Sequence, residues 1–228
     1  MWREIAPGVY DGVPGSAPVD EQLDMLLRIS GVAPITRLTH RFARWVSRKG
    51  LAGGLPAARA LADGRAGHPF LTLVGPPGVG KTHLALAIAW EFLEGGRVVA
   101  YWQVEGFLDS LRQGYVMFQR GHLSDTGTPE PYRTLNFAKR CALLILDDMG
   151  AHRETEWATA KLDEVVDHRY VNRLATVVTT NDLAQLSPRV LDRLREGRVV
   201  VLQGESQRGR LRSKETPEIQ PEIQGGGP

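Results

Sequence analysis

One stretch, Phe70 to His83 (FLTLVGPPGVGKTH), leaves few folds open to the rest of this chain. A short apolar run, Leu71, Leu73 and Val74, leads into a glycine loop, and a helix former follows. Gly75, Gly80, Lys81 and Thr82 stand at the spacing of the Walker A pattern, G-x-x-x-x-G-K-T. The chemistry explains the spacing. Glycines let the backbone turn tightly enough for successive N–H groups to face one phosphate chain. A helix starting near Gly80 adds the positive end of its dipole. Lys81 reaches the outer phosphates as a point charge, and the Thr82 hydroxyl is placed to ligate Mg²⁺. Pro76 and Pro77 stiffen the loop entry by fixing φ. Gly75, Pro76, Pro77, Gly78, Val79, Gly80, Lys81, Thr82 and His83 are therefore the expected nucleotide-binding residues. The Leu- and Ala-rich run from His83 to Glu94, stopped by Gly95 and Gly96, supplies the helix that the motif requires.

The chain has 228 residues, enough for one large domain with appendages, and 42% of them are hydrophobic, enough for a real core. The net charge of +2 does not announce a nucleic-acid binder, but the distribution is uneven. No acidic residue lies between Asp24 and Asp63, while Arg28, Arg37, Arg41, Arg44, Arg48, Lys49 and Arg59 all do. That segment fits either a solvated basic face or a contact for DNA or an acidic partner. A single cysteine, Cys141, excludes an internal disulfide and a cysteine zinc cluster, and its apolar neighbours suggest a buried structural thiol. No apolar run approaches membrane-spanning length and the start lacks a signal-peptide core, so the expectation is a cytoplasmic protein with no membrane partner.

Residues 1–19 are rich in Gly and Pro and read as an irregular arm. Asp20 is placed to cap a short helix that Gly31 ends. From Ile35 to Val46 the apolar residues fall at helical spacing, which fits a basic amphipathic helix or an extended segment packed on the main domain. Residues 50–56 read as a loop and Ala57 to Ala62 as a short helix. Strands are predicted at Arg97–Gln103, Ala142–Asp148, Ala175–Asn181 and Arg198–Leu202, besides the one before the glycine loop. Helices alternate with them: Val104 to about Arg120, Tyr132–Arg140, Thr155–Arg173 and Ser187–Arg195. A polar loop is expected from Gly121 to Pro131. The alternation implies an α/β fold, with a parallel five-stranded sheet sandwiched by helices. The tail repeats Pro-Glu-Ile-Gln at 217–220 and 221–224 and reads as disordered. The expected organisation is an N-terminal arm and helical segment at 1–54, a nucleotide-binding domain at 55–210, and a tail at 211–228.

Hydrolysis needs more than a phosphate loop. Asp147 ends an apolar strand, the Walker B arrangement, and is expected to hold Mg²⁺ through water. Asp148 follows, where a carboxylate can orient and polarise the attacking water. Asn181 ends the next strand. In a parallel sheet it shares an edge with Gly75 and Asp147, so its amide is placed to contact the γ-phosphate, although Asn181-Asp182 is also good turn chemistry. Arg189, Arg193 and Arg195 lie on one short helix. They either stabilise γ-phosphate charge or pair with Asp192 and Glu196, and spacing alone does not choose. Asp147-x-x-Gly150 also fits a GTPase pattern. The guanine-reading Asn-Lys-x-Asp is missing, however, and the nearest run, Ala160 to Asp163, has Ala where Asn is needed.

Taken together, the 75–83 loop, Leu143 to Gly150, Thr176 to Asn181 and Arg189 to Leu194 resemble the DnaC/IstB group of AAA+ P-loop ATPases, which comprises helicase loaders and transposition helpers. The resemblance covers about residues 55–210; the expected fold is without an evident C-terminal lid domain. It implies ATP and Mg²⁺ as cofactors, Asn181 as sensor 1, Arg193 as a finger acting on a neighbour's ATP, and Arg208 in Ser206–Arg210 as sensor 2. A finger acting in trans implies an ATP-dependent homo-oligomer. The resemblance further implies a replicative helicase partner and contact with single-stranded DNA through residues 104–140, where Arg112, Arg120, Lys139 and Arg140 are candidates. Asp148 stands where many members carry the longer Glu, which implies slow hydrolysis or a water bridging the gap. Three functions follow: a DNA replication accessory ATPase that loads the helicase, a transposition helper acting on duplex DNA, or a weakly hydrolysing ATP-binding adaptor.

Overall fold

A computed structural model describes residues 2–6, 9–12, 19–120, 130–151 and 155–206. Strands β1 (Trp2–Ala6) and β2 (Val9–Gly12) pair antiparallel. The arm read as irregular thus contains a hairpin, because β-formers such as Trp2, Ile5, Val9 and Tyr10 outweigh the glycines and prolines around them. Helix α1 (Val19–Ser30) begins one residue before Asp20, so Asp20 lies in its first turn and not at the cap. Gly31 ends it at φ +72.

The segment from Ile35 to Val46 is not one helix. Only α2 (Thr36–Thr39) and a 3₁₀ turn at Phe42–Arg44 form, and the rest lies extended along the main domain. Its apolar spacing serves packing of isolated side chains: Phe42 is buried, while Ile35 and Leu38 remain 68% exposed. Helix α3 (Gly54–Ala62) starts earlier than expected and takes in the end of the loop.

Five strands form the main sheet: β3 (Phe70–Val74), β4 (Val99–Gln103), β5 (Leu143–Met149), β6 (Ala175–Thr180) and β7 (Arg198–Val201). All pairings are parallel, in the order β4-β5-β6-β3-β7. Every residue of β3 is buried, as is β5 from Leu143 to Asp147, so the strands read as continuous apolar runs. Helix α4 (Lys81–Glu94) follows the glycine loop. Leu84 to Trp90 are all buried, and a helix apolar all round must lie inside. It packs on β4, β5 and β6, with α1 and α3 against its outer side. Right-handed crossovers put the remaining helices on the opposite face. These are α5 (Val104–Gln119), α6 (Glu130–Arg140), α7 (Glu156–Val171) and α8 (Pro188–Glu196). Thr155 caps α7 by accepting from Ala158 N at 3.1 Å, and Ser187 caps α8 by accepting from Val190 N at 3.2 Å, with Pro188 in its first turn. Because the strands run parallel, Gly75, Asp147 and Asn181 emerge at one edge. Helix α6 starts at Glu130, two residues before the expected Tyr132, and so takes in the end of the loop expected from Gly121 to Pro131. Residues 121–129 of that loop, Arg208 and the 211–228 tail lie outside the described residues.

Candidate functional site

The glycine loop is shaped by positions that only glycine occupies without strain. Gly75, Gly78 and Gly80 have φ of +156, +82 and +103. A Cβ at Gly80 would lie 2.6 Å from the Trp45 ring, and one at Gly75 or Gly78 would run into the Leu202 carbonyl or the Ser206 hydroxyl. Val79 is buried and anchors the loop, whereas Pro76 and Pro77 are exposed at its rim. Lys81, 7% exposed, folds back under the loop. Its ammonium donates to the carbonyls of Gly75 (2.6 Å) and Pro76 (3.0 Å) and to Asn181 Oδ1 (2.8 Å).

Asn181 has a second contact. Its Nδ2 donates to Asp148 Oδ1 at 3.2 Å, so one amide bridges the loop lysine and the exposed acid. Asp147 and Asp148 form a bulge. Leu146 pairs with Val178 and Met149 with Thr180, so two β5 residues oppose one on β6. Asp148 takes φ +58, a left-handed conformation that costs energy in a non-glycine residue and that Asp tolerates better than most. The bulge turns Asp148 out to solvent, while Asp147 stays 3% exposed.

Hydroxyl groups surround Asp147. Thr82 Oγ1 lies 3.1 Å from both carboxylate oxygens, Thr179 donates to Oδ1 at 2.6 Å, and Tyr101 donates to Oδ2 at 2.8 Å. The Thr179 hydroxyl also accepts from Asp148 N at 2.8 Å, which ties the bulge to β6. Burial, and next the charge of Asp147, push the Tyr101 phenol well above its ordinary pKa, so it remains a donor. Tyr101 belongs to no sequence motif, and Thr179 lies in the Thr176–Asn181 stretch without an assigned role. Tyr101 pairs with Ile145, two residues before Asp147, so period-two alternation puts both side chains on one face. That signal needs the strand order, which the sequence does not carry.

His83 is turned away from the loop. Its Nε2 donates to the Arg41 carbonyl at 3.1 Å, and its ring meets His40 and Trp45 at 5.1 and 5.6 Å between centroids. Only its backbone N–H is left to serve the phosphate site. Burial lowers the pKa of both histidines, so the cluster is neutral near pH 7. The basic segment is partly absorbed in the same way. Arg41 pairs with Glu94 at 2.6 Å, Arg37 pairs with Glu94 at 3.2 Å, and Thr36 accepts from Trp90 Nε1 at 3.0 Å. Arg44, Arg48 and Lys49 stay exposed.

The arginines of α8 stand apart from this cluster. Arg193 donates through Nε to Asp167 at 3.2 Å and through Nη1 to Asp192 at 3.3 Å, and lies 4.6 Å from the Tyr170 ring centroid. Arg189 also pairs with Asp167. Of the residues expected to meet DNA, Arg112 pairs with Asp109 at 2.7 Å and Lys139 with Glu164 at 2.6 Å, while Arg120 and Arg140 are exposed.

The residues present fit a magnesium nucleotide: a glycine cradle of backbone N–H groups, an ammonium held beneath it, and a threonine hydroxyl beside a buried carboxylate. Thr82 and Asp147 are the side chains that would hold the metal. No helix among the described residues is long and apolar enough to cross a membrane.

The family described as IstB-like ATP binding protein matches residues 67–215. The replicative helicase loader DnaC of Escherichia coli K12 is 30% identical over 148 residues, covering 62% of this chain and 57% of that protein. The chain thus spans little more than half the length of that relative. A crystal structure of the DnaC helicase loader superposes with a TM-score of 0.59 at 22% identity, covering 75% of this chain and 100% of that one. AMPPCP-bound DnaA from Aquifex aeolicus gives 0.63 at 19%, covering 77% and 52%. At these identities the structures speak for the fold alone, an AAA+ P-loop architecture. Fold, motif order and family match converge: the chain belongs to the IstB-like ATP-binding proteins, the group that its four motifs resemble.

Proposed function

We propose that this protein is an ATP-hydrolysing replication accessory factor that loads a replicative helicase onto single-stranded DNA. The observation that carries the hydrolytic part is the chain of contacts from Lys81 through Asn181 to Asp148. It joins the phosphate-binding cation, the sensor amide and the water-orienting acid in one line. In this role the backbone N–H groups of the 75–83 loop bind the phosphates, and Lys81 exchanges carbonyl acceptors for phosphate oxygens. Mg²⁺, when bound, neutralises charge on the outer phosphates. Thr82 and Asp147 would hold it, Asp148 orients water, and Asn181 links the γ-phosphate to Lys81 and Asp148. Arg208 is proposed as a further phosphate contact.

Arg193 is proposed to complete the site of a neighbouring subunit. Arg193→Ala should lower assembly-stimulated turnover by roughly 10³-fold, the scale of arginine fingers, and leave ATP affinity nearly intact. Equal turnover in variant and wild type would remove Arg193 from the mechanism.

The loading role rests on the similarity to DnaC, with residues 1–54 proposed to meet the helicase, 55–210 to form the ATPase, and 211–228 to form a tail. The reading puts the protein in the cytoplasm. The test is co-elution of the purified protein with its organism's replicative helicase in the presence of a non-hydrolysable ATP analogue. A shared peak is expected. Separate peaks with an intact helicase favour the second reading, a transposition helper on duplex DNA, which the family description supports. Filament formation on duplex DNA would then decide it.

A further inference from the structure

The Asp147 carboxylate is held by more than its motif partner. It is buried, and its two oxygens accept from three hydroxyls: Thr82, Thr179 and Tyr101. Thr82 sits at 3.1 Å from both oxygens, in the symmetric position of a group facing the open end of the carboxylate. The other two donors grip one oxygen each from opposite sides. Thr179 comes from β6 at 2.6 Å and Tyr101 from β4 at 2.8 Å, the two strands that flank β5. Two donors from opposite neighbours fix the plane of a carboxylate, which one donor leaves free to rotate. Tyr101 is itself braced. Its backbone carbonyl packs on Gly31 so closely that a Cβ there would lie 2.5 Å away.

We infer that Tyr101 is a positioning residue for the metal site: its hydroxyl sets the Asp147 carboxylate in the orientation that receives the magnesium of a bound nucleotide. This rests on the proposed metal role of Asp147. Partners of this kind orient a ligand without touching the metal, and their loss typically costs about 10–100-fold in metal affinity.

The experiment measures binding of a fluorescent, non-hydrolysable ATP analogue to the full chain, in EDTA and across a MgCl₂ titration. In Tyr101→Phe the Mg²⁺ concentration that gives half-maximal enhancement should rise about tenfold, with affinity in EDTA unchanged. Asp147→Asn should shift the midpoint at least as far. A Tyr101→Phe midpoint equal to wild type, beside a shifted Asp147→Asn, overturns the inference and leaves the role of Asp147 standing. An unshifted Asp147→Asn overturns that role, and the inference with it. Equal losses with and without Mg²⁺ mean that Tyr101 supports the fold alone, which also overturns it. If Tyr101→Phe does not fold, because a charge is left short of a donor, the double variant Tyr101→Phe/Asp147→Asn removes that charge and decides the matter. Its midpoint should match Asp147→Asn alone, since Tyr101 acts through Asp147, and a further shift beyond it counts against the inference.

Discussion

Lys81→Ala should lower the affinity for ATP by on the order of a hundredfold or more and leave the fold intact. The ammonium now donates to two loop carbonyls and to Asn181, so its place is fixed before any ligand arrives. On binding, those short contacts are exchanged for contacts to phosphate oxygens. Hydrogen bonds to charged groups contribute about 1.5–3 kcal/mol each, and losing two of them corresponds to roughly 10²–10⁴ in affinity. The fold has less at stake. Lys81 opens α4, where alanine is the better helix former, and its mostly buried charge carries a desolvation cost that offsets the bonds it makes. Stability should therefore change by no more than about 2 kcal/mol. Equilibrium binding of a fluorescent ATP analogue, set beside a thermal melt, separates the two effects. Unchanged affinity in a folded variant would contradict the assignment of the phosphate loop.

The same residues show how far the sequence could be read. Strand, loop and helix around Lys81 were legible because each local preference agreed with the others: apolar run, glycines at left-handed φ, then a Leu/Ala helix. Asp147 and Asn181 were legible because parallel strands bring their ends to one edge whatever their order. What depends on order was not. Tyr101 and Thr179 meet Asp147 only because β4 and β6 flank β5, and nothing in the run VAYWQ announces that neighbour. The bulge that turns Asp148 outward was invisible for the same reason. Ile35 to Val46 fitted two readings, a helix or an extended segment packed on the main domain, and the second is the nearer. Its spacing suits a helix, but its anchors are contacts with α4 from Thr36, Arg41 and the 3₁₀ turn at Phe42–Arg44, and tertiary packing decided the conformation. Arg169 was passed over altogether, since one arginine in a polar helix gives no sign that it is buried.

Arg169→Ala should destabilise the protein by on the order of 4–5 kcal/mol, more than most single substitutions. The side chain is fully buried on α7, and the groups it bonds to include no carboxylate. Nε donates to Thr176 Oγ1 at 2.8 Å, Nη1 to the carbonyls of Ala138 (2.8 Å) and Cys141 (3.0 Å), and Nη2 to the Ala175 carbonyl at 2.6 Å. Burial pulls the guanidinium pKa down from its ordinary value, and the same burial pushes the neighbouring Cys141 thiol up, so the thiol stays neutral and gives no ion pair. The fork therefore replaces water for backbone carbonyls where α6 ends and β5 and β6 begin. Truncation strands those acceptors in a dry interior, at about 1–3 kcal/mol for each that finds no new partner, and leaves a cavity besides. Arg169→Lys keeps the charge with three donors in place of a planar fork, so it should fall between wild type and alanine. Urea unfolding gives the order directly. ATP affinity of the folded fraction should hold in both variants, because Arg169 ties the starts of strands whose far ends carry the nucleotide site. A loss below about 1 kcal/mol in Arg169→Ala would mean that water reaches the freed carbonyls and that the arginine is dispensable to the core.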